Sequence, residues 1–183
     1  MVKLTFSIAA TVAMMASVAN ASGCNLRFNQ AFWLISREHR NLLSTWRGTF
    51  ANTPVMNGAG DGSLFEPIVF CVVTDFASSC LSYSPPGCIP RSDTYYIKAE
   101  ENRGSAGGYL SYNVTADNVV YINPSTSATK FFVFDDPGGL RLRAVDSNVM
   151  ITSVLNPTDP TSPNKVTLEP ATNSLAQTFE IST

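Results

Sequence analysis

Residues 95–134 read YYIKAEENRGSAGGYLSYNVTADNVVYINPSTSATKFFVF. Four short apolar segments stand out in this stretch: Tyr95-Tyr96-Ile97, Tyr109-Leu110, Val119 to Ile122 and Phe131 to Phe134. β-Branched and aromatic residues dominate them, and each run is too short for a helix, so each reads as a strand. The same plan occurs before and after. Phe32 to Phe70 carries Phe32-Trp33-Leu34-Ile35, Leu42-Leu43, Val55-Met56 and Leu64 to Phe70. Leu140 to Ile181 carries Leu140-Arg141-Leu142, Val149-Met150-Ile151, Val166-Thr167-Leu168 and Phe179-Glu180-Ile181. A period of roughly 40 residues, each opening and closing on a strand, points to a threefold all-β unit.

Turn chemistry separates the segments. Asn57-Gly58-Ala59-Gly60-Asp61-Gly62, Arg103-Gly104-Ser105-Ala106-Gly107-Gly108 and Asp135-Asp136-Pro137-Gly138-Gly139 are breakers, and Asn156-Pro157, Asp159-Pro160 and Ser162-Pro163 make a longer polar loop. Leu140-Arg141-Leu142-Arg143 alternates as a half-buried strand does. No amphipathic helix is expected beyond the leader.

Twelve strands in three four-strand units resemble a β-trefoil, in which six strands form a barrel and six form hairpins capping one end. Gln177-Thr178-Phe179 is similar to the Gln-x-Trp signature that closes a ricin-B-type unit, with Phe in place of Trp; the first two units lack the Gln. Tyr95-Tyr96-Ile97 resembles the opening strand of Kunitz-type trefoil inhibitors, displaced to mid-chain, and mycocypins are inhibitors of the same fold. The resemblance implies one trefoil domain over residues 22–183; Trp33, Tyr96, Phe132 and Phe134 are expected to fill its barrel, because aromatics are more often core than surface. A β-sandwich of eight to ten strands is the alternative.

Met1 to Ala21 has the plan of a secretory signal: Lys3, an apolar run to Ala19, and Ala19-Asn20-Ala21 as a small-x-small cleavage site before Ser22. The apolar run is shorter than the roughly 20 residues a membrane span needs. The expected location is extracellular. Without Lys3, 11 basic residues face 14 acidic ones, about −3, too acidic for a surface that tracks nucleic-acid phosphates. The leader and the low charge resemble those of small secreted fungal proteins of the wall and host interface.

All four cysteines, Cys24, Cys71, Cys80 and Cys88, follow the leader, so two disulfides are expected, with three pairings open. A metal site is disfavoured, because His39 is the only histidine and no Cys-x-x-Cys occurs; no cofactor is expected. The trefoil resemblance implies Cys24 bonded to Cys71, at the two ends of the first unit, and Cys80 bonded to Cys88. Asn113-Val114-Thr115 is a glycosylation sequon, which places Asn113 on an exposed turn.

Cys71 to Asp93 forms an insertion between the first two units. Its core, Cys80-Leu81-Ser82-Tyr83-Ser84-Pro85-Pro86-Gly87-Cys88, is stiffened by paired prolines. The string resembles the reactive loop of Bowman-Birk-type serine protease inhibitors in ring size and proline positions. That resemblance implies Leu81, Ser82, Tyr83 and Ser84 as the protease-facing residues, with Ser82 in the specificity pocket and Tyr83 after the scissile bond. The family normally has Thr at the position of Leu81 and Ser at that of Tyr83, hydroxyls that help hold the loop.

Catalytic signals are weak. His39, in Arg37-Glu38-His39-Arg40-Asn41, reads as a surface histidine in a turn, and no Gly-x-Ser-x-Gly nucleophile motif occurs. The acidic pairs Glu100-Glu101 and Asp135-Asp136 read as solvated turns. Aromatics give the better lead: an exposed indole at Trp46 can stack on a sugar ring, and Asn113, Asp117, Asn118 and Tyr121 could add polar contacts. The leading expectation is a secreted, non-enzymatic protein that binds extracellular glycans or cell-wall polysaccharide. A serine protease inhibitor acting through Cys80–Cys88, with an extracellular protease as partner, is the alternative.

Overall fold

The computed structural model describes residues 26–46, 51–58, 65–81, 88–90, 93–101, 107–113, 118–124, 127–136, 138–145, 147–154 and 164–183. Twelve strands follow one another in three sets of four. The first set is β1 (Trp33–Ser36), β2 (Leu43–Trp46), β3 (Met56–Asn57) and β4 (Phe65–Val73). The second is β5 (Thr94–Glu101), β6 (Gly107–Asn113), β7 (Val119–Asn123) and β8 (Phe131–Asp136). The third is β9 (Gly139–Ala144), β10 (Val149–Val154), β11 (Asn164–Pro170) and β12 (Phe179–Ser182). Among the described residues the one helical piece is the 3-10 turn Leu175–Gln177.

The first and last strands of each set build a ring. β1 pairs with β12, β12 with β9, β9 with β8, β8 with β5 and β5 with β4, all antiparallel. Phe32 and Phe70 close it, exchanging N–H···O bonds of 2.9 and 2.8 Å. The middle strands form the β2–β3, β6–β7 and β10–β11 pairs. These join as a triangle: β11 meets β3 at Lys165↔Met56, β7 meets β11 at Val119↔Thr167, and Pro54 bridges Tyr121. A closed six-strand barrel capped by three hairpins is a β-trefoil, and closure leaves no pair of stacked open sheets, which excludes the sandwich.

Strand alternation shows why this sequence closes this way. Phe32, Leu34 and Ser36 face the barrel interior from β1 and its entry; Tyr95, Ile97 and Ala99 do so from β5, and Leu140, Leu142 and Ala144 from β9. Each opening strand therefore presents two large side chains and then a small one. The small residue makes room for a buried phenylalanine on the neighbouring closing strand: Phe70 opposite Ala99, Phe131 opposite Ala144, and Phe179 opposite Ser36. Burying each phenylalanine contributes about 1.5–3 kcal/mol. Leu26, Phe28 and Ile89 join the same core, with Phe28 edge-on to Tyr95 at 5.2 Å. The fully buried Leu26 donates its N–H to the Asp135 carboxylate at 3.1 Å, where β8 leaves the barrel. The barrel end away from the hairpins is thus filled by the segment that precedes β1.

Two sequence expectations are corrected. Trp33, Tyr96, Phe132 and Phe134 do not fill the barrel; they alternate with the buried residues, half-exposed on its outside. Strand periodicity fixes only that neighbouring residues face opposite ways, and a one-residue shift exchanges the faces. The disulfide pairing also differs: Cys71 bonds Cys80, with Cα atoms 5.5 Å apart. β4 runs on to Val73, so Phe70 and Val72 face the barrel, whereas Cys71 and Val73 face outward into a second apolar cluster with Tyr109, Phe76 and Cys80. The returning segment 74–81 lies over that face and brings Cys80 to Cys71. Cys88 is also disulfide-bonded, so Cys80–Cys88 does not form; Cys24 lies outside the described residues.

The segment is fastened by more than its cystine. The Tyr109 hydroxyl donates to the Phe76 carbonyl at 2.9 Å, and Lys98 donates to the Ser78 carbonyl at 2.8 Å. Burial pushes the Tyr109 phenol above its ordinary pKa, with Asp75 and Glu100 adding to the shift, so it stays a donor. Phe76 packs edge-on to Tyr109 at 4.7 Å and against Tyr96 at 4.3 Å.

Candidate functional site

Trp46 ends β2, following the buried Leu43, Ser44 and Thr45, and its indole emerges at the exposed end of the strand. It is 39% exposed and is the one aromatic among the exposed large apolar side chains of the described residues. Register places it directly opposite Phe65 on β4, and the two rings lie 4.6 Å apart, tilted at 44°. Phe65 backs the indole and limits its rotation, leaving an aromatic surface held from behind. Such a surface suits stacking against the apolar face of a sugar ring.

The other expected contacts lie elsewhere. Asn113 ends β6 and is exposed; Tyr121 lies half-buried on β7 opposite Ser111, and its backbone bridges Pro54. These two share the β6–β7 hairpin, whereas Trp46 stands on β2, which pairs with β3 and β4. Asp117 lies outside the described residues. The Asn113 sequon therefore begins at an exposed strand end.

The ring expected from Cys80 to Cys88 is not closed, because Cys80 is bonded to Cys71. Leu81 is held against the segment before β1: its N–H donates to the Asn29 carbonyl at 2.6 Å, and its carbonyl accepts from the Ala31 N–H at 2.9 Å. Ser82, Tyr83 and Ser84 lie outside the described residues. Without its small cystine ring, the inhibitor reading loses the constraint on which it rested.

His39 is not a free surface histidine. Its Nδ1 lies 2.8 Å from Ser153 Oγ on β10, and that oxygen also accepts from Asn57 Nδ2 at 2.6 Å. Ser153 is 2% exposed, so this Ser–His contact joins the β1–β2 turn to two hairpins and keeps the hydroxyl from solvent. Asn57 Oδ1 and Ser44 Oγ, close by on β3 and β2, are buried and have no hydrogen-bond partner among the described residues. Among the described residues no group of three or more His, Cys, Asp or Glu could hold a metal, and no helix is long and apolar enough to cross a membrane.

Gln177, the polar member of the Gln-x-Phe motif, has a structural task. It is 1% exposed, and its Oε1 accepts from the Thr172 N–H at 2.8 Å, the Asn173 N–H at 3.2 Å and the Thr172 hydroxyl at 3.3 Å. Its Nε2 donates to the Pro170 carbonyl at 2.7 Å and the Thr152 hydroxyl at 3.1 Å. One amide thus fastens the turn between β11 and β12 to β10, and Phe179, two residues on, drops into the core.

The sequence reading missed a group of arginines. Three clefts follow one another across the outer face of β12, β9 and β8. The first, about 510 Å³, is lined by Arg37, Arg40 and Glu180; it shares Arg37, Gly138 and Gly139 with the second, which in turn shares Arg141 and Asn173 with the third, lined by Arg143 and Phe134. Arg143 stacks over Phe132 and Phe134 with its guanidinium 4.6 and 5.3 Å from the ring centres, and Arg141 lies 5.8 Å from that of Phe134. The alternation Leu140-Arg141-Leu142-Arg143, with Phe132 and Phe134 one strand earlier, is the signal from which half of this surface was readable.

No protein-family model matches the chain, and no curated protein matches it in sequence. Solved structures do match. A ricin B-like lectin of Macrolepiota procera, solved in complex with lactose, is 13% identical, with 85% of this chain and 96% of that one covered at a TM-score of 0.52. The Rhizoctonia solani agglutinin is 15% identical, with 83% and 93% covered at 0.51. ThreeFoil, a designed threefold symmetric protein, is 12% identical, with 84% and 98% covered at 0.51. At such identities the likeness is one of fold, and it places the chain among β-trefoil structures.

Proposed function

We propose that this chain is a secreted, non-enzymatic carbohydrate-binding protein that takes extracellular glycans or cell-wall polysaccharide. The observation that carries the reading is Trp46, exposed at the end of β2 and backed by Phe65 at 4.6 Å. A rigid, half-exposed indole presents stacking area at low entropic cost. The fold adds weight, since lectins stand among the structures it resembles and one of them was solved with lactose. The leader Met1 to Ala21 supports an extracellular location. Asn113 and Tyr121 on the β6–β7 hairpin, with Asp117 between those strands in the sequence, offer a second set of contacts where the Asn113 sequon is unoccupied.

A glycan array probed with the processed chain tests this. Binding to at least one neutral glycan is expected, and Trp46→Ala should weaken it about tenfold or more while leaving the circular dichroism spectrum unchanged. No binding at high protein concentration, or undiminished binding by a folded Trp46→Ala variant, would remove the reading.

A further inference from the structure

The three joined clefts carry charge opposite to that of the molecule. The chain is −2 overall, yet the clefts hold Arg37, Arg40, Arg141 and Arg143 against Asp136 and Glu180. Those acids do not neutralise the whole row: Glu180 meets Arg40 at 3.2 Å with both side chains well exposed, and Asp136 meets Arg141. Arg37 donates to the Gly138 carbonyl, and among the described residues no carboxylate pairs with Arg143.

The row is also held in place. Arg141 is fixed between Asp136 and the Asn173 amide oxygen, and Arg143 rests on two phenylalanine faces. Arg40 adopts φ 60°, a left-handed conformation that Asn or Gly takes more readily, at the turn where the Arg40 N–H donates to the Ser36 carbonyl at 2.8 Å. A guanidinium has five N–H donors in a planar fork, so Arg37 and Arg143 keep donors for a carboxylate or sulfate group.

We infer that this arginine trench binds an acidic polysaccharide, a sugar chain bearing repeated carboxylate or sulfate groups. Anionic groups along the chain would meet successive guanidinium groups while its pyranose rings lie over the Phe134 and Leu175 side of the trench. The inference rests on the carbohydrate-binding reading, but it uses a surface that shares no residue with Trp46, Asn113, Asp117 or Tyr121.

The test is titration calorimetry of the processed chain with polygalacturonate, heparin, a neutral glycan from the array and a single-stranded oligonucleotide. Binding of polygalacturonate or heparin is expected, weakening as salt is raised from 50 to 500 mM because screening acts on exposed charges. The two polymers distinguish carboxylate from sulfate as the recognised group. The Arg37→Gln/Arg143→Gln variant should bind the acidic polymer about tenfold or more weakly and the neutral glycan unchanged. Arg143→Lys, which keeps the charge but loses the fork, should fall between. Neutral-glycan binding without acidic-polymer binding would overturn the trench and leave the lectin reading standing. Oligonucleotide binding as tight as that of the acidic sugar would overturn it as simple polyanion attraction. Acidic-polymer binding that survives in the double variant would also overturn it.

Discussion

Phe131 lies directly opposite Ala144 across the β8–β9 pair, both fully buried. The same relationship recurs as Phe70 with Ala99 and as Phe179 with Ser36. One layer of the barrel is therefore built from three phenylalanines, each fitted over a small residue of the next strand. Threefold symmetry, read in the sequence as a repeat, becomes in space a large–small complementarity between successive units.

That layer sets a stability prediction. Phe131→Ala should cost about 3–5 kcal/mol through lost burial and the cavity left behind. Ala144→Leu should cost about 1–3 kcal/mol by overpacking. The double variant should lose less than the sum, because the new leucine occupies part of the space vacated. Urea denaturation of the three variants measures this, and strict additivity would show that the pair does not share one space.

Gln177→Ala should destabilise by about 1–3 kcal/mol, because it removes the buried amide that holds the Pro170 carbonyl, the Thr152 hydroxyl and the Thr172 and Asn173 N–H groups. Gln177→Glu keeps the acceptor but sets a second acceptor against the Pro170 carbonyl. Burial beside that carbonyl would raise the new carboxyl's folded pKa, so stability is retained below its unfolded pKa and lost as pH rises. Thermal melts at pH 4 and pH 7 should show the larger loss at pH 7; equal losses would refute this account.

Replacing Cys71 and Cys80 together by Ala should lower stability by about 2–3 kcal/mol, as expected for a cystine closing a short loop. Tyr109 and Lys98 should keep segment 74–81 on the barrel wall in that variant, so the fold survives. Non-reducing peptide mapping of the native chain should recover Cys71 joined to Cys80, and Cys88 on a different linked pair. Recovery of Cys80 joined to Cys88 would contradict the structure.

Asp75 gives that segment an acid dependence. Its carboxylate accepts from the Ser78 hydroxyl at 3.1 Å and from the Ala77 and Ser78 N–H groups at 2.9 Å each, and these bonds hold its pKa below the ordinary carboxylate value. A depressed folded pKa stabilises above the unfolded value of about 3.9 and ceases to do so as pH falls through the folded one. Protection of the Ala77 and Ser78 amides against hydrogen exchange should hold from neutral pH to about pH 5 and decline below about pH 4. Protection unchanged down to pH 2 would rule out the carboxylate as its source.

The repeat, the strand character of its segments and the turns between them were legible in the sequence, because short β-branched and aromatic runs with Gly, Asn and Pro between them are local properties of the chain. Trp46 was singled out in the sequence as an exposed indole, and the structure has it exposed as the last residue of β2. Three things were decided only by the tertiary structure. Which of Phe131 and Phe132 faces inward depends on register against β5 and β9, and a period of two cannot choose between the faces. The partner of Cys71 depends on the side of β4 it faces and on the path of the segment crossing that side. The arginine trench unites Arg37 and Arg40 from the first unit, Phe132, Phe134 and Asp136 from the second, and Arg141, Arg143 and Glu180 from the third. Barrel closure alone lays β1, β12, β9 and β8 side by side, and with them charges that lie more than a hundred residues apart along the chain.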